Sequence, residues 1–285
     1  MSLVTLREVL NFAQERKSAI PAFTVDTLEV AEEIAAAAEA ANYPAILMIG
    51  QNTFKYSKLS HMANICKDVA ASVRAPLVLH LDHGKDYEQV IACLRNGFTS
   101  VMFDGSKLPL EENIAVTKEV SRAAHAVGVD VEAELGAIGG TEDGQTATAN
   151  LVDVEEARKF LEQVEIEALA IGIGNAHGIY KSTPNLAFDR LEQVAALGAP
   201  PLVLHGGSGI PDEMIQKAIL LGIRKINVAT EVRHAFMEGI EAAVGARDIY
   251  QMYASGRQAA RAIIEQKTRL FNTAGLDGNG ERAAT

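Results

Sequence analysis

Tryptophan is absent from this chain of 285 residues, and cysteine occurs only twice. Cys66 and Cys93 lie outside any C-x-x-C spacing, which excludes a disulfide framework and a cysteine-based zinc site and favours a reducing, cytoplasmic environment. Long hydrophobic runs are also missing, since no stretch approaches about 18 apolar residues. The amino-terminal segment lacks the basic and apolar regions of a signal peptide. We therefore expect a soluble protein that has no membrane partner.

Basic residues are in the minority: 26 Lys and Arg stand against 37 Asp and Glu, for a formal net charge of −11 at pH 7. No Lys/Arg-rich run offsets this balance, which argues against nucleic acid or an anionic membrane as the main partner. An anionic ligand would have to meet a local site. The 48% of hydrophobic residues suffice for one large core or two small ones, so the strand pattern has to decide the architecture.

Short β-rich runs alternate with helical patterns along the chain, at intervals that centre near 30 residues, about the size of one strand–helix module. Eight such modules predict an α/β fold, a (β/α)8 TIM barrel that forms a single domain over residues 1–285. A doubly wound sheet is the alternative, but residues 25–29 lack its Gly-rich turn after the first strand. The predicted strands are 19–25, 44–50, 76–81, 100–104, 129–135, 168–174, 201–205 and 225–228, with helices such as 28–41, 110–127, 154–164 and 211–221.

Three segments depart from this repeat. Residues at about 242–273 are rich in Ala, Arg and Gln and predict additional C-terminal helices that pack on a barrel face or a partner subunit. The polar, Gly-rich tail 275–285 is expected to be disordered. The longest gap between strands holds the small, polar segment 136–150, and a loop of this length is typical of a lid or a catalytic loop.

Three histidines follow predicted strands: His83 the third, His177 the sixth and His205 the seventh. The carboxyl ends of parallel barrel strands meet at one face, so these imidazoles can converge there as the ligand set of a catalytic zinc. Each could instead be a hydrogen-bonded wall residue. His80 lies deeper in its strand and is expected to orient its neighbours. The remaining histidines fall in helical patterns and are expected at the surface: His61, His125 and His234.

Four carboxylates interrupt or end apolar strands, and each needs a cation or hydrogen-bond donors to offset its burial. Asp82 adjoins His83, while Glu132 and Glu134 share one strand. Glu132 has two open interpretations, an ion pair inside the barrel or a direct role in the chemistry. Asp104 likewise could be a helix cap or a metal ligand.

Small residues follow the seventh and eighth predicted strands. Residues 206–209 read Gly-Gly-Ser-Gly just before a helix, and residues 227–230 read Asn-Val-Ala-Thr before the next one. Exposed N–H groups and helix amino termini bind anions, and phosphate often lies at loops seven and eight of barrels. Either loop alone could be a simple tight turn, but the pair favours a phosphorylated substrate.

Together these residues resemble the class II, metal-dependent ketose-bisphosphate aldolases, which include fructose-1,6-bisphosphate and tagatose-1,6-bisphosphate aldolases. The resemblance extends from Ala19 to the carboxyl-terminal helices. Its most specific parts are Leu-Val-Leu-His-Leu-Asp-His-Gly at 77–84 and Val-Glu-Ala-Glu-Leu-Gly-Ala-Ile-Gly-Gly-Thr-Glu at 131–142.

The resemblance implies that His83, His177 and His205 hold Zn²⁺, which polarises the oxygens of dihydroxyacetone phosphate as a Lewis acid. Glu142 would exchange a proton at the nucleophilic carbon, and Asp82 would handle the proton of the aldol hydroxyl. Asp104 and Glu134 would bind a second divalent metal, and a monovalent cation (Na⁺ or K⁺) could assist. The implied phosphate and ketose cradle is Gly178, Lys181, Gly206, Gly207, Ser208, Asn227, Val228, Ala229 and Thr230.

Arg257 resembles a family arginine that reaches a neighbouring subunit's site to meet the second phosphate, although it could equally be a surface helix residue. By the same resemblance we expect a homodimer or homotetramer.

Departures from the family pattern concern the aldehyde half of the substrate. Thr24 stands where many members have Asn, Asp26 adds an acid nearby, and residues 50–52 (Gly-Gln-Asn) lack a serine. The expected substrate is fructose 1,6-bisphosphate, cleaved to dihydroxyacetone phosphate and glyceraldehyde 3-phosphate. Tagatose 1,6-bisphosphate and 2-deoxy-5-keto-6-phosphogluconate are the alternatives.

Two other classes of protein agree less well with these residues. A metal-dependent barrel hydrolase would carry a His-x-His pair on strand one, and residues 22–26 offer none. A non-catalytic barrel subunit of an aldolase complex would not need Asp82, Glu142 and the three strand-end histidines.

Overall fold

The computed structural model describes residues 3–142, 145–147, 150–180 and 182–273, and gives only the backbone at 141, 142, 145–147 and 273. Eight parallel strands close into a barrel in the order β1-β11-β10-β8-β5-β4-β3-β2, which confirms the predicted TIM barrel. The barrel strands are β1 (Ile20–Thr24), β2 (Ala45–Ile49), β3 (Leu77–Gly84), β4 (Ser100–Phe103), β5 (Asp130–Leu135), β8 (Ala168–Ile171), β10 (Leu202–Leu204) and β11 (Ile223–Val228). A separate sheet contains β6 (Gly139–Glu142), β7 (Gln145–Ala147) and β9 (Ala176–His177).

Helices surround the barrel and connect its strands. Those in the described ranges are α1 (Leu6–Arg16), α2 (Leu28–Ala41), α3 (Gln51–Tyr56), α4 (Leu59–Ala71), α5 (Tyr87–Arg95), α6 (Leu110–His125), α7 (Val154–Leu161), α8 (Phe188–Ala195), α9 (Asp212–Leu220), α10 (Thr230–Ala243) and α11 (Ile249–Thr273). None of these helices is long and apolar enough to cross a membrane.

The amino end of the barrel is sealed by α1, a helix that the sequence analysis does not predict. A capping box starts it: the Glu8 N–H donates to the Thr5 hydroxyl, and the Thr5 N–H donates to the Glu8 carboxylate. Its apolar face, which includes Leu6 and Leu10, joins the inward-facing residues of the barrel strands in one buried cluster. The site can therefore open only at the carboxyl end.

Alternation along each strand divides the barrel into two environments. Outward-facing side chains pack under the helices in the main apolar core. Most inward-facing side chains near α1 are apolar, as at Ile20 and Ile46, and those toward the carboxyl end are polar, as at Glu132 and Lys225. This polar half forms the floor of the site described below.

The Gly-rich segment 136–150, expected to be a loop, contributes strands β6 and β7. β6 pairs with β9 in parallel, with Gly140 beside His177. A side chain at Gly140, whose φ is +90°, would bring its Cβ within 2.2 Å of the His177 carbonyl oxygen, so glycine permits this close pairing. The segment carries no alternating apolar pattern, which explains why the sequence did not predict these strands.

The carboxyl-terminal extension is helical, as expected, but its boundary differs from the predicted residue 242. α10 runs to Ala243, a short 3-10 turn (Val244–Ala246) follows, and α11 begins at Ile249. α11 packs against α10 and α2. The predicted tail 275–285 lies outside the described residues.

We expect Tyr43→Phe to lower the free energy of unfolding by about 1 kcal/mol. The Tyr43 hydroxyl is buried and donates to the Ser18 hydroxyl at 2.7 Å, so the substitution removes a buried hydrogen bond. Urea unfolding measures the change, and Tyr56→Phe, at a side chain that is 91% exposed, is the control. Equal midpoints for the two variants would contradict the prediction.

Candidate active site

His83 reaches the site through an irregularity of β3. Strict alternation with the inward-facing Asp82 would turn His83 outward. Its backbone, however, is left-handed, with a φ of +48°, and the pairing with β4 shifts register between Leu81 and Gly84. Bulges of this kind re-aim a side chain, and a left-handed non-glycine residue stores strain that clusters at functional sites. Both neighbours, Asp82 and His83, therefore face the site.

The three strand-end histidines converge. His83 Nε2 lies 2.9 Å from His205 Nδ1, and the ring of His177 lies 5.1 Å from that of His83 between centroids. One ligand atom from each of the three lies within 4.8 Å of the others. Burial lowers the pKa of His205, which favours the neutral ring that binds metals.

Asp104 and Glu134 meet His83 on its other side. His83 Nδ1 lies 2.9 Å from Asp104 Oδ2 and 3.8 Å from Glu134 Oε2. Burial acts to raise the pKa of Asp104, but hydrogen bonds from His83 and Ser106 outweigh it and hold the pKa well below its usual range. Burial and the neighbouring Asp104 raise the pKa of Glu134 well above its ordinary value. A cation between the carboxylates would relieve this repulsion.

Asp104 also caps the turn that follows β4, because it accepts hydrogen bonds from the Ser106 N–H and hydroxyl. Asp104 is not the helix cap that was one of its two interpretations, because the following helix, α6, begins at Leu110 and has Pro109 at its N-cap position. Its interpretation as a metal ligand stays a prediction.

The floor of the site is a buried ion pair between Glu132 and Lys225, whose charged atoms lie 2.9 Å apart. Glu132 Oε1 also accepts a hydrogen bond from His205 Nε2 at 2.9 Å. Burial acts to raise the pKa of Glu132, but Lys225 and His205 hold it below its ordinary range. The structure thus contains the ion pair that was one of the two interpretations of Glu132.

His80 lies below the metal-ligand atoms, fully buried, with Nδ1 2.8 Å from the Ser100 hydroxyl. Burial and the nearby Lys225 lower its pKa well below the ordinary value. It is not one of the clustered metal donors in the described chain.

Asp82 and Asn227 form a second polar pair beside the histidines. Asn227 Nδ2 donates to Asp82 Oδ1 at 3.0 Å, and both side chains are nearly buried. Asn175, also buried, holds the neighbouring loop by donating to the His205 carbonyl at 2.9 Å. The carboxylate is thus held in place next to the candidate metal ligands.

Most of the residues predicted to form a phosphate cradle lie at the ends of β10 and β11. The Gly207 N–H donates to the Asn227 carbonyl at 2.9 Å, and Ser208 is buried beside the first turn of α10. α10 begins at Thr230, directly after Val228 and Ala229. Gly178 lies in the adjacent loop with a φ of +92°. These residues share one corner of the barrel mouth.

For three of the predicted site residues the structure gives no side-chain position in the site. Glu142 is described by its backbone, at the end of β6, and Lys181 lies outside the described residues. Arg257, on α11, pairs with Glu32 and Glu33 of its own chain at 2.7 Å each.

The structure also shows the contacts of Asp26 and of residues 50–52, which depart from the family pattern. Asp26 pairs with Arg233 through two hydrogen bonds, so its charge is compensated. Gly50 caps α3, and the next residue, Gln51, donates to the His83 carbonyl at 2.8 Å and exchanges hydrogen bonds with Gln89. The sequence does not reveal this glutamine pair, because Gln51 and Gln89 lie on different helices, α3 and α5, and only the fold brings them together.

A cavity of about 570 Å³ opens above these groups. His83, His177, Asp104 and Glu134 lie on its wall, together with three lysines that the sequence analysis did not single out: Lys55, Lys85 and Lys107. Although the chain as a whole carries a negative net charge, these three lysines place positive charge at the rim of the cavity. Positive charge at a cavity rim attracts anionic ligands.

The donors fit a metal ion. Three imidazoles converge, and the buried Oε2 of Glu134 has no hydrogen-bond partner among the described residues. Three histidines with open positions are the ligand set of a catalytic metal site. Fold and site together define a metal-binding enzyme of the TIM-barrel class.

Comparisons with known proteins identify the family of this TIM-barrel protein. The model of the family "Fructose-bisphosphate aldolase class-II" matches residues 4–276. A fructose-bisphosphate aldolase from Geobacillus stearothermophilus is 39% identical over 283 residues, covering 96% of this chain and 99% of the relative. A sulfofructosephosphate aldolase from Alkalicoccus urumqiensis is 38% identical over 280 residues, covering 96% and 98%. The solved structure of the YdjI aldolase from Escherichia coli K12 matches with a TM-score of 0.86 at 32% identity, covering 98% and 100%. The chain belongs to the class II fructose-bisphosphate aldolase family.

We expect Gly206→Ala to weaken binding of a divalent metal by about 10-fold or more, comparable to losing a group that orients a ligand. Gly206 directly follows His205, and its φ is +63°. A Cβ added there would lie 2.2 Å from the carbonyl oxygen of Ala176, the residue before His177. Competition with a chelator measures the affinity. Gly198→Ala is the control, since it has a similar φ of +73° but nothing within 4 Å. Equal affinities would show that this contact does not position the histidines.

Proposed function

We propose that this protein is a zinc-dependent aldolase that reversibly cleaves a ketose 1,6-bisphosphate to dihydroxyacetone phosphate and glyceraldehyde 3-phosphate, with fructose 1,6-bisphosphate as the first candidate. The observation that carries the proposal is the convergence of His83, His177 and His205 beside the Asp82–Asn227 pair. Family membership supports the same reaction.

His83, His177 and His205 would hold the zinc, which when bound would supply Lewis-acid polarisation of the substrate's carbonyl oxygen. Asp82, fixed by Asn227, is suited to hold the proton of the aldol hydroxyl during cleavage. Glu142, at the end of β6, would exchange the proton at the nucleophilic carbon. Asp82 on β3 and Glu142 on β6 would thus each carry out one of the two proton transfers.

The cradle at Gly206–Ser208 and Asn227–Thr230, with Gly178 and Lys181, would bind the ketose phosphate through backbone N–H groups, assisted by a monovalent cation. Asp104 and Glu134 would hold a second divalent metal, which their proximity to His83 supports. That second site would lie beside His83, whose Nδ1 faces Asp104 while its Nε2 faces His205.

The far end of the substrate would meet the lysine rim. Lys85 and Lys107 follow β3 and β4, and Lys55 lies on α3, so all three approach the cavity from one side. A second phosphate, or another anion in its place, fits this rim. Tagatose 1,6-bisphosphate, 2-deoxy-5-keto-6-phosphogluconate and a sulfofructose phosphate are therefore alternative substrates.

We also infer a cytoplasmic homodimer or homotetramer. Exposed apolar side chains near the start of α11, among them Ile249 and Tyr250, line a cleft that also contains Arg257. A second copy that covers this surface would bring Arg257 to an interface, and sedimentation velocity measures whether two or four chains assemble.

Zinc-loaded protein should release triose phosphate from fructose 1,6-bisphosphate or its alternatives, and chelation should abolish turnover.

Asp82→Asn should lower kcat by about 10²- to 10⁴-fold, the usual contribution of a general acid–base group. Glu142→Gln should abolish proton exchange into dihydroxyacetone phosphate. The Gly198→Ala variant is the control. If the zinc-loaded protein cleaves none of these substrates, a non-catalytic barrel subunit becomes the better interpretation.

Lys85→Ala and Lys107→Ala should each raise KM for the bisphosphate by about 10-fold, the equivalent of 1.4 kcal/mol. The effect should be small with fructose 1-phosphate, which lacks the second phosphate. Lys118→Ala is the control, because Lys118 lies on the outer surface and bonds to Gln163. Equal KM changes for both substrates would place the second phosphate elsewhere.

A further inference from the structure

Two fully buried charges lie directly under a candidate metal ligand. Glu132 and Lys225 face each other across the barrel interior, with Lys225 Nζ 2.9 Å from Glu132 Oε2 and 3.1 Å from Oε1. The same Oε1 atom lies 2.9 Å from His205 Nε2, and that side chain is also fully buried. The charged pair therefore acts on His205 without reaching the cavity.

The chemistry of the contact fixes the imidazole. An ionised carboxylate can only accept hydrogen bonds, so His205 Nε2 must carry the hydrogen in this contact. A neutral ring then leaves the lone pair on Nδ1, and Nδ1 is the atom that lies 2.9 Å from His83 Nε2. The hydrogen bond from one nitrogen thus presents the other nitrogen to the metal.

We propose that Glu132 and Lys225 are positioning residues that hold His205 in the tautomer and orientation required for metal binding. The proposal rests on the proposed zinc site. Glu132 supplies the acceptor, and Lys225 holds the carboxylate in place and compensates its charge. β11 thus helps to position two side chains of the site. Lys225 acts on His205 through Glu132, and Asn227, two residues further along β11, holds Asp82.

A purely structural role explains the pair less well. Buried ion pairs can usually be replaced by apolar residues of similar volume without loss of stability. Several neighbouring inward-facing positions are already apolar, as at Met48, Met102 and Ala170, although His80 Nε2 also lies 3.7 Å from Glu132 Oε2. The feature that apolar residues could not reproduce is the hydrogen bond to His205.

The test replaces both charges, with Glu132→Met and Lys225→Met in one variant. We expect the metal-free variant to unfold at a temperature equal to or above that of the parent, yet to bind zinc about 10- to 100-fold more weakly in competition with a chelator. Histidine-selective ¹⁵N NMR of the metal-free protein should show His205 protonated at Nε2 in the parent and in mixed tautomers in the variant.

A second variant, Glu132→Gln with Lys225→Met, keeps a neutral acceptor and should recover part of the zinc affinity and the Nε2–H tautomer. It also carries the test if the first variant does not fold. Tyr43→Phe, which removes a buried hydrogen bond elsewhere in the barrel, should leave zinc affinity unchanged.

Zinc affinity of the double-methionine variant within twofold of the parent, or a parent His205 protonated at Nδ1, would overturn the proposal. Both readouts are independent of substrate, so failure of the aldolase assay would not imitate this result. If the parent binds no zinc, the zinc site fails, and the tautomer measurement still decides the role of Glu132.

Discussion

Polar side chains inside this barrel depend on one another for hydrogen-bond partners, because eight closed strands and α1 exclude water from the amino end. Most inward-facing side chains near α1 are apolar, Asp130 being an exception that accepts a hydrogen bond from the Arg7 N–H of α1, and the charged pair of Glu132 and Lys225 begins the polar half. The candidate metal ligands rest on this pair rather than on an apolar plug. A polar floor of this kind offers fixed hydrogen-bond partners and so limits the orientations of His205.

The site also depends on backbone irregularities. Regular alternation in β3 would deliver only one of Asp82 and His83 to the cavity, and the left-handed backbone at His83 delivers both. The Gly140 and Gly206 contacts bring β9, and with it His177, against the barrel mouth. Strain and close approach thus occur where three elements converge at the candidate metal site, which is where surrounding structure must compensate for them.

The repeat of strands and helices was sufficient to predict the barrel, and the strand-end rule was sufficient to bring His83, His177 and His205 to one face. Both rest on local pattern plus the geometry of parallel strands. The partner of Glu132 could not be predicted this way, because Lys225 lies far away in sequence and only the strand register places it across the barrel. Lys85 and Lys107 of the rim lie in loops, and the paired strands β6 and β9 come from Gly-rich segments, so no periodicity marks any of them.

The two halves of the site differ in construction, and this difference bears on substrate choice. The metal and ketose half consists of buried strand ends tied to one another by hydrogen bonds, as with Asp82 and Asn227. The other half consists of side chains on α3 and on the loops after β3 and β4, including Lys55, Lys85 and Lys107. Substitutions in the second half need not disturb the first. Relatives at 39% and 38% identity carry the names of aldolases for different substrates, fructose bisphosphate and sulfofructose phosphate. Under the proposed function, the aldehyde partner would be selected in the second half, because side chains there can change without loss of the buried hydrogen bonds of the first half.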